Sequence, residues 1–129
     1  MDTKSDQTFK AGNKLLSNSF YSQCVHCFYY SVIQMMKYCL NKCDTNPISY
    51  VDQETKAQDS DGSSHIWILN EISYRISNRR KKDSFDNDFN FLKKERVSAD
   101  YSQRSFTQLE SADCKQAAER MLAKLRDIR

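Results

Sequence analysis

The sequence predicts an all-α protein, an up-and-down bundle of four to five helices, and three observations predict it. The 129 residues hold only two glycines and one proline, too few to turn a many-stranded sandwich or barrel. Hydrophobic residues make up 39% and charged residues 29%, a balance that supports one packed core and excludes a disordered chain. Apolar residues also recur at helical spacing through most of the chain. The length suits one domain, residues 1–129, with a single core.

Residues 6–17 carry Phe9, Leu15 and Leu16 among polar residues, an amphipathic helix that Asn18 and Ser19 could end. From Phe20 to about Lys42 the run is apolar on most sides, without glycine, proline or charge before Lys37. Such a helix belongs at the centre of a bundle. Residues 43–64 gather the proline, one glycine and many Asp, Ser, Thr and Asn residues, which reads as a long surface loop. Ser63 or Ser64 could cap a following helix with His65, Ile66, Leu69, Ile72, Tyr74 and Ile76 at near-helical spacing, running to about Asn78. Another helix is expected from Ser84–Asp86 to near Tyr101, presenting Phe85, Phe89, Leu92 and Arg96. In the last segment Cys114, Ala118, Met121, Leu125 and Ile128 alternate at intervals of four and three, a bundle-packing face. Thr107 with Glu110, or Ser111, could cap it.

No stretch approaches the roughly 20 apolar residues of a membrane span, and MDTKSDQTFK lacks the pattern of a secretory signal. A cytoplasmic location without membrane contact is the expectation. Five cysteines then read as free thiols, some of them small core residues. Cys24 and Cys27 with Cys39 and Cys43 could suggest zinc. On a continuous helix, however, Cys27 and Cys39 stand about 18 Å apart, too far for one tetrahedral ion. No metal or cofactor is expected. With Gly12 and Gly62 the only glycines, phosphate loops, dinucleotide fingerprints and nucleophile elbows are also excluded.

Charge is uneven. Residues 75–104 hold nine Lys/Arg against five Asp/Glu, whereas residues 1–74 hold six against eight. The run Arg79, Arg80, Lys81 and Lys82 is read first as cations opposing the negative end of the preceding helix and solvating a loop. The competing reading is a phosphate-contacting patch with Lys93, Lys94, Arg96 and Arg104.

Two stretches, VHCFYYSVIQMMKYCL with His26, Tyr29, Tyr30 and Ser31, and FLKKERVSADYS with Arg96, Ala99, Asp100 and Tyr101, together resemble the HEPN family, in the branch marked by an Arg-x-x-Ala-Asp-Tyr pattern. The similarity covers about residues 7–128. It implies a bundle of four or five helices, often dimeric, in a family that includes ribonuclease toxins and companions of minimal nucleotidyltransferases. Family ribonucleases carry a histidine four to six residues after the arginine, one group to stabilise the phosphorane-like state and one to move a proton. Here VSADYSQ follows Arg96 without a histidine, and His26 and His65 are distant in sequence. Folding could still bring either one to Arg96.

Arg96 with Asp100 has a structural reading, an (i, i+4) ion pair near the Tyr30 and Tyr101 hydroxyls. Its functional reading is a binding groove lined by Arg96, Asp100, Tyr101 and Tyr30, with Arg79, Arg80, Lys81 and Lys82 at the contact surface. The leading expectation is a non-catalytic protein binding a nucleotidyltransferase-like partner, a nucleotide or RNA, as in a toxin-antitoxin-like system. The alternatives are a metal-independent ribonuclease using Arg96 and a homodimeric scaffold.

Overall fold

The computed structural model describes residues 3–60 and 62–129. Among them are six helices and no strand: α1 (Thr3–Ser17), α2 (Tyr21–Lys42), α3 (Tyr50–Asp59), α4 (Ser64–Tyr74), α5 (Arg79–Tyr101) and α6 (Gln108–Leu125). The all-α prediction therefore holds, with one helix more than the apolar spacing disclosed.

Helix α2 is the axis of the bundle and touches all five other helices. Its Cys24, Val25, Phe28, Val32, Met36 and Leu40 are fully or almost fully buried, because a helix apolar on most sides is stable only where every side meets protein. Helix α1 ends at Asn18 and Ser19 as expected. Ser19 adopts φ 65°, the Phe20 N–H donates to the Leu15 carbonyl at 2.8 Å, and the Ser19 N–H donates to Leu16 at 3.1 Å. These bonds form a Schellman motif, which satisfies carbonyls that the last turn leaves without partners. Helix α1 lies close against α2 at Gly12, where an added Cβ would stand 2.7 Å from the Phe28 ring.

Thr107 begins α6 with a complete capping box: its hydroxyl accepts from the Glu110 N–H, and the Glu110 carboxylate accepts from the Thr107 N–H. Cys114, Ala118, Met121 and Leu125 are buried on the predicted face, and Ile128 packs against the core just beyond the helix. Some cysteines are small core residues as expected: Cys24, Cys39, Cys43 and Cys114 are buried, while Cys27 is only partly buried.

Several boundaries differ from expectation: α1 already begins at Thr3, and α4 ends at Tyr74 rather than near Asn78, which caps the next helix instead. Helix α5 starts at Arg79, not near Ser84, because the Asn78 side chain caps it by accepting from the Lys81 N–H at 3.1 Å. Residues 43–64 contain α3, which Ser49 caps by accepting from the Asp52 N–H; Asp61, within that stretch, lies outside the described residues. Helix α3 buries only Gln53, so it has almost no apolar stripe to recognise. Polar bonds dock it instead. Gln53 Nε2 donates to the carbonyls of Lys37 and Ile48, at 2.9 and 2.8 Å. Arg75, just past α4, donates to the carbonyls of Thr45 and Asn46 in the preceding loop.

Candidate functional site

Helix α5 buries Phe85, Phe89, Leu92 and Arg96, spaced four, three and four residues apart. Arg96 therefore occupies the fourth position of an apolar stripe, and the stripe aims its guanidinium at α2. There it meets two tyrosine rings, with its central carbon 4.8 Å from the Tyr29 centroid and 5.6 Å from that of Tyr30. Cation–π attraction of this kind strengthens as water is excluded, and Arg96 is only 9% exposed. Its one ion pair among the described residues is with the predicted (i, i+4) partner, Asp100, at 3.7 Å. Arg96 Nε is buried with no hydrogen-bond partner, so beyond the ring faces, Asp100 and a hydrogen bond to the Tyr29 hydroxyl the guanidinium has donor capacity to spare.

The histidines complete the arrangement. His26 Nδ1 lies 2.9 Å from Asp100 Oδ2, the same oxygen that faces Arg96. A carboxylate only accepts, so the proton is on Nδ1, and in the neutral ring Nε2 is an acceptor. The imidazole rests on Tyr30, with centroids 4.6 Å apart, and its side chain is 50% exposed. On the other side, the Tyr29 hydroxyl is 2.7 Å from His65 Nδ1. Burial, followed by the positive charges of Arg96, Lys37 and Lys93, pushes the His65 pKa down to about 4. Burial pushes Tyr29 up to about 12, partly offset by its interaction with Arg96. Both groups are neutral at pH 7, so the phenol donates and His65 Nδ1 accepts. For Arg96 itself burial opposes the charge, but Tyr30, Tyr29 and Asp100 outweigh it, and the pKa is raised.

Folding thus brings both histidines to Arg96, His26 through Asp100 and His65 through Tyr29, although neither follows it in sequence. Of the site residues expected from the sequence, Arg96, Asp100 and Tyr30 come together. Tyr101 does not: it is 78% exposed at the end of α5, and its hydroxyl takes no part in the network around Arg96. The basic run is also placed differently. Arg79, Arg80, Lys81 and Lys82 are the first turn of α5 itself, where the positive end of the helix disfavours cations, rather than a loop opposing the end of α4. At 1.5 Å per residue, even Lys82 lies about 21 Å along the helix from Arg96, so the run and the Arg96 cluster are separate surfaces.

Sequence reasoning named Tyr29 and His26 in the family pattern but did not place Tyr29 at the site or pair His26 with Asp100. The signal was present, since His26, Tyr30 and Lys37 fall at i, i+4 and i+11 of one helix and share a side. Among the described residues no group of three or more His, Cys, Asp or Glu side chains is arranged to hold a metal ion, and no helix is long and apolar enough to cross a membrane. Comparison of the chain with family models, curated proteins and solved structures finds no match.

Proposed function

We propose that the Arg96 cluster binds the phosphate of a nucleotide or RNA, in a HEPN-like protein that acts by binding, alongside a protein partner such as a minimal nucleotidyltransferase. The observation that carries this reading is the buried guanidinium with an unpartnered Nε and, among the described residues, a single ion pair at 3.7 Å. A planar cation short of acceptors suits a phosphate oxygen, which makes charge-assisted and often bidentate bonds. Lys93 and Lys37, close enough to His65 to depress its pKa, add positive charge beside it. Binding is tested by fluorescence anisotropy with a labelled single-stranded RNA at low and moderate salt. Arg96→Met keeps the packing volume and removes the charge. It is expected to weaken binding at least tenfold and to flatten the salt dependence. A folded Arg96→Met protein that binds RNA as tightly as the parent rules the reading out.

The His26–Asp100 pair favours a second reading, metal-independent RNA cleavage. His26 Nε2 would take the proton of a ribose 2′-hydroxyl as its oxygen attacks the adjacent phosphorus. Arg96 would stabilise the charge on the phosphoryl oxygens, and the 5′-oxygen would leave with a proton from solvent, giving a 2′,3′-cyclic phosphate. Cleavage of labelled RNA in excess EDTA that is abolished in His26→Asn supports it. RNA left intact by the parent protein removes it and leaves the binding reading in place.

A further inference from the structure

Between α2, α3 and α4 lies a groove of about 660 Å³. Its lining includes Lys37 from α2, Tyr50 and Gln53 from α3, and His65 and Trp67 from α4. His65 belongs to the groove and, through the Tyr29 hydroxyl, to the Arg96 cluster. The guanidinium carbon is 4.8 Å from the Tyr29 centroid, and that centroid is 5.5 Å from the imidazole. Arg96 and His65 are therefore no further apart than these two distances combined, about the length of one nucleotide from phosphate to base, although Tyr29 itself is buried between them. Tyr30, which contacts both His65 and Arg96, lies beside this path.

The chemistry of the groove differs from that of the cluster. Trp67 is partly buried and Tyr50 is 49% exposed, so aromatic surface is available to a flat ligand. Gln53 is 4% exposed, and its amide orientation is fixed: Nε2 donates to two carbonyls, and a flipped amide would set oxygen against oxygen. The same two bonds fix the helix that carries Tyr50 against α2, so this wall of the groove is held in place. A concave site with aromatic walls, a few fixed polar groups and a cation at its edge is the usual form of a small-ligand site.

We infer that this groove receives the base of a nucleoside phosphate whose phosphate lies at the Arg96 cluster, with the base against Trp67 and Tyr50 and Lys37 at the mouth. The inference rests on the phosphate-binding reading above and adds a base subsite to it. The ligand is a nucleoside phosphate, either free or as one unit of an RNA strand.

The chain has one tryptophan and seven tyrosines, so fluorescence excited at the long-wavelength edge, where tyrosine does not absorb, reports Trp67 alone. The full chain is titrated with the four nucleoside 5′-monophosphates, with ribose 5-phosphate and with a short oligoribonucleotide, and affinities are measured in parallel by calorimetry. At least one mononucleotide is expected to quench Trp67. Ribose 5-phosphate is expected to compete with it without quenching. Tyr50→Ala should weaken the nucleotide roughly fivefold or more, the low end of base stacking, and leave ribose 5-phosphate unchanged, whereas Arg96→Met should weaken both. Tighter binding of the oligonucleotide than of any mononucleotide assigns the site to a strand, and the reverse assigns it to a free nucleotide. Nucleotides that bind in an Arg96-dependent way, yet leave Trp67 fluorescence unchanged and ignore Tyr50→Ala, overturn the base subsite while the phosphate reading stands. Absence of binding by nucleotides, oligonucleotide and ribose 5-phosphate alike overturns both.

Discussion

Replacing Gly12 by alanine sets two effects of opposite sign against each other. In a helix interior alanine is favoured over glycine by about 1 kcal/mol, so on propensity alone α1 should gain. The added Cβ would, however, stand 2.7 and 2.9 Å from two carbons of the Phe28 ring and 3.2 Å from Cys27 Cβ, against a carbon–carbon optimum of roughly 3.5–4.0 Å. The ring cannot swing away cheaply, since Phe28 is fully buried and Phe9 packs on it at 5.2 Å. Overpacking a closed core typically costs about 1–3 kcal/mol, so Gly12→Ala should be destabilised by about 1 kcal/mol net. For a chain of this length that lowers the thermal midpoint by roughly 3–6 °C. Urea denaturation measures it, with the slope unchanged. Repeating the substitution in a Phe28→Leu background removes the obstruction, and there Gly12→Ala should become neutral or stabilising. A higher midpoint for Gly12→Ala in the parent protein, or the same change in both backgrounds, would refute the packing argument.

His65 should make stability fall in mild acid. Its folded pKa of about 4 lies below the ordinary 6.5, so the unfolded chain takes up the proton first, and stability present above pH 6.5 is lost as pH falls toward 4. The imidazole is partly exposed, which keeps the loss on the order of 1 kcal/mol. His65→Asn keeps an acceptor for Tyr29 but does not titrate, and a variant with an undiminished acid loss would assign the effect elsewhere. Thr107→Ala removes the hydroxyl of the α6 capping box and should cost about 1 kcal/mol; an unchanged melting curve would show that the box contributes nothing.

The elements legible in the sequence were those whose stability comes from an apolar face. Helix α2 was visible because almost every side of it is apolar, and α6 because Cys114, Ala118, Met121 and Leu125 mark one buried stripe. Helix α3 was not, because polar bonds through Gln53 hold it and periodicity in hydrophobicity cannot register them. The start of α5 was hidden by four consecutive cations, although Asn78 carried the cap. Arg96 stood out from its motif and Asp100 from its spacing. The approach of His26 and His65 depends on how three helices pack, which no local pattern encodes. Only the shared side of His26, Tyr30 and Lys37 hinted at a surface running along α2.

The attachment of α3 has a thermodynamic consequence. This helix is fastened by the Gln53 amide and by Arg75 bonding to the loop before it, and it buries little apolar surface of its own. Lifting it would expose little hydrocarbon, so the opening should carry a small heat-capacity change and a shallow urea dependence, since both scale with newly wetted surface. Amides of α3 should then exchange with solvent at rates nearly indifferent to urea, while those of α2 follow the steep dependence of global unfolding. One wall of the groove beside Trp67 would therefore open and close on its own energy scale, without loosening the core that holds Arg96.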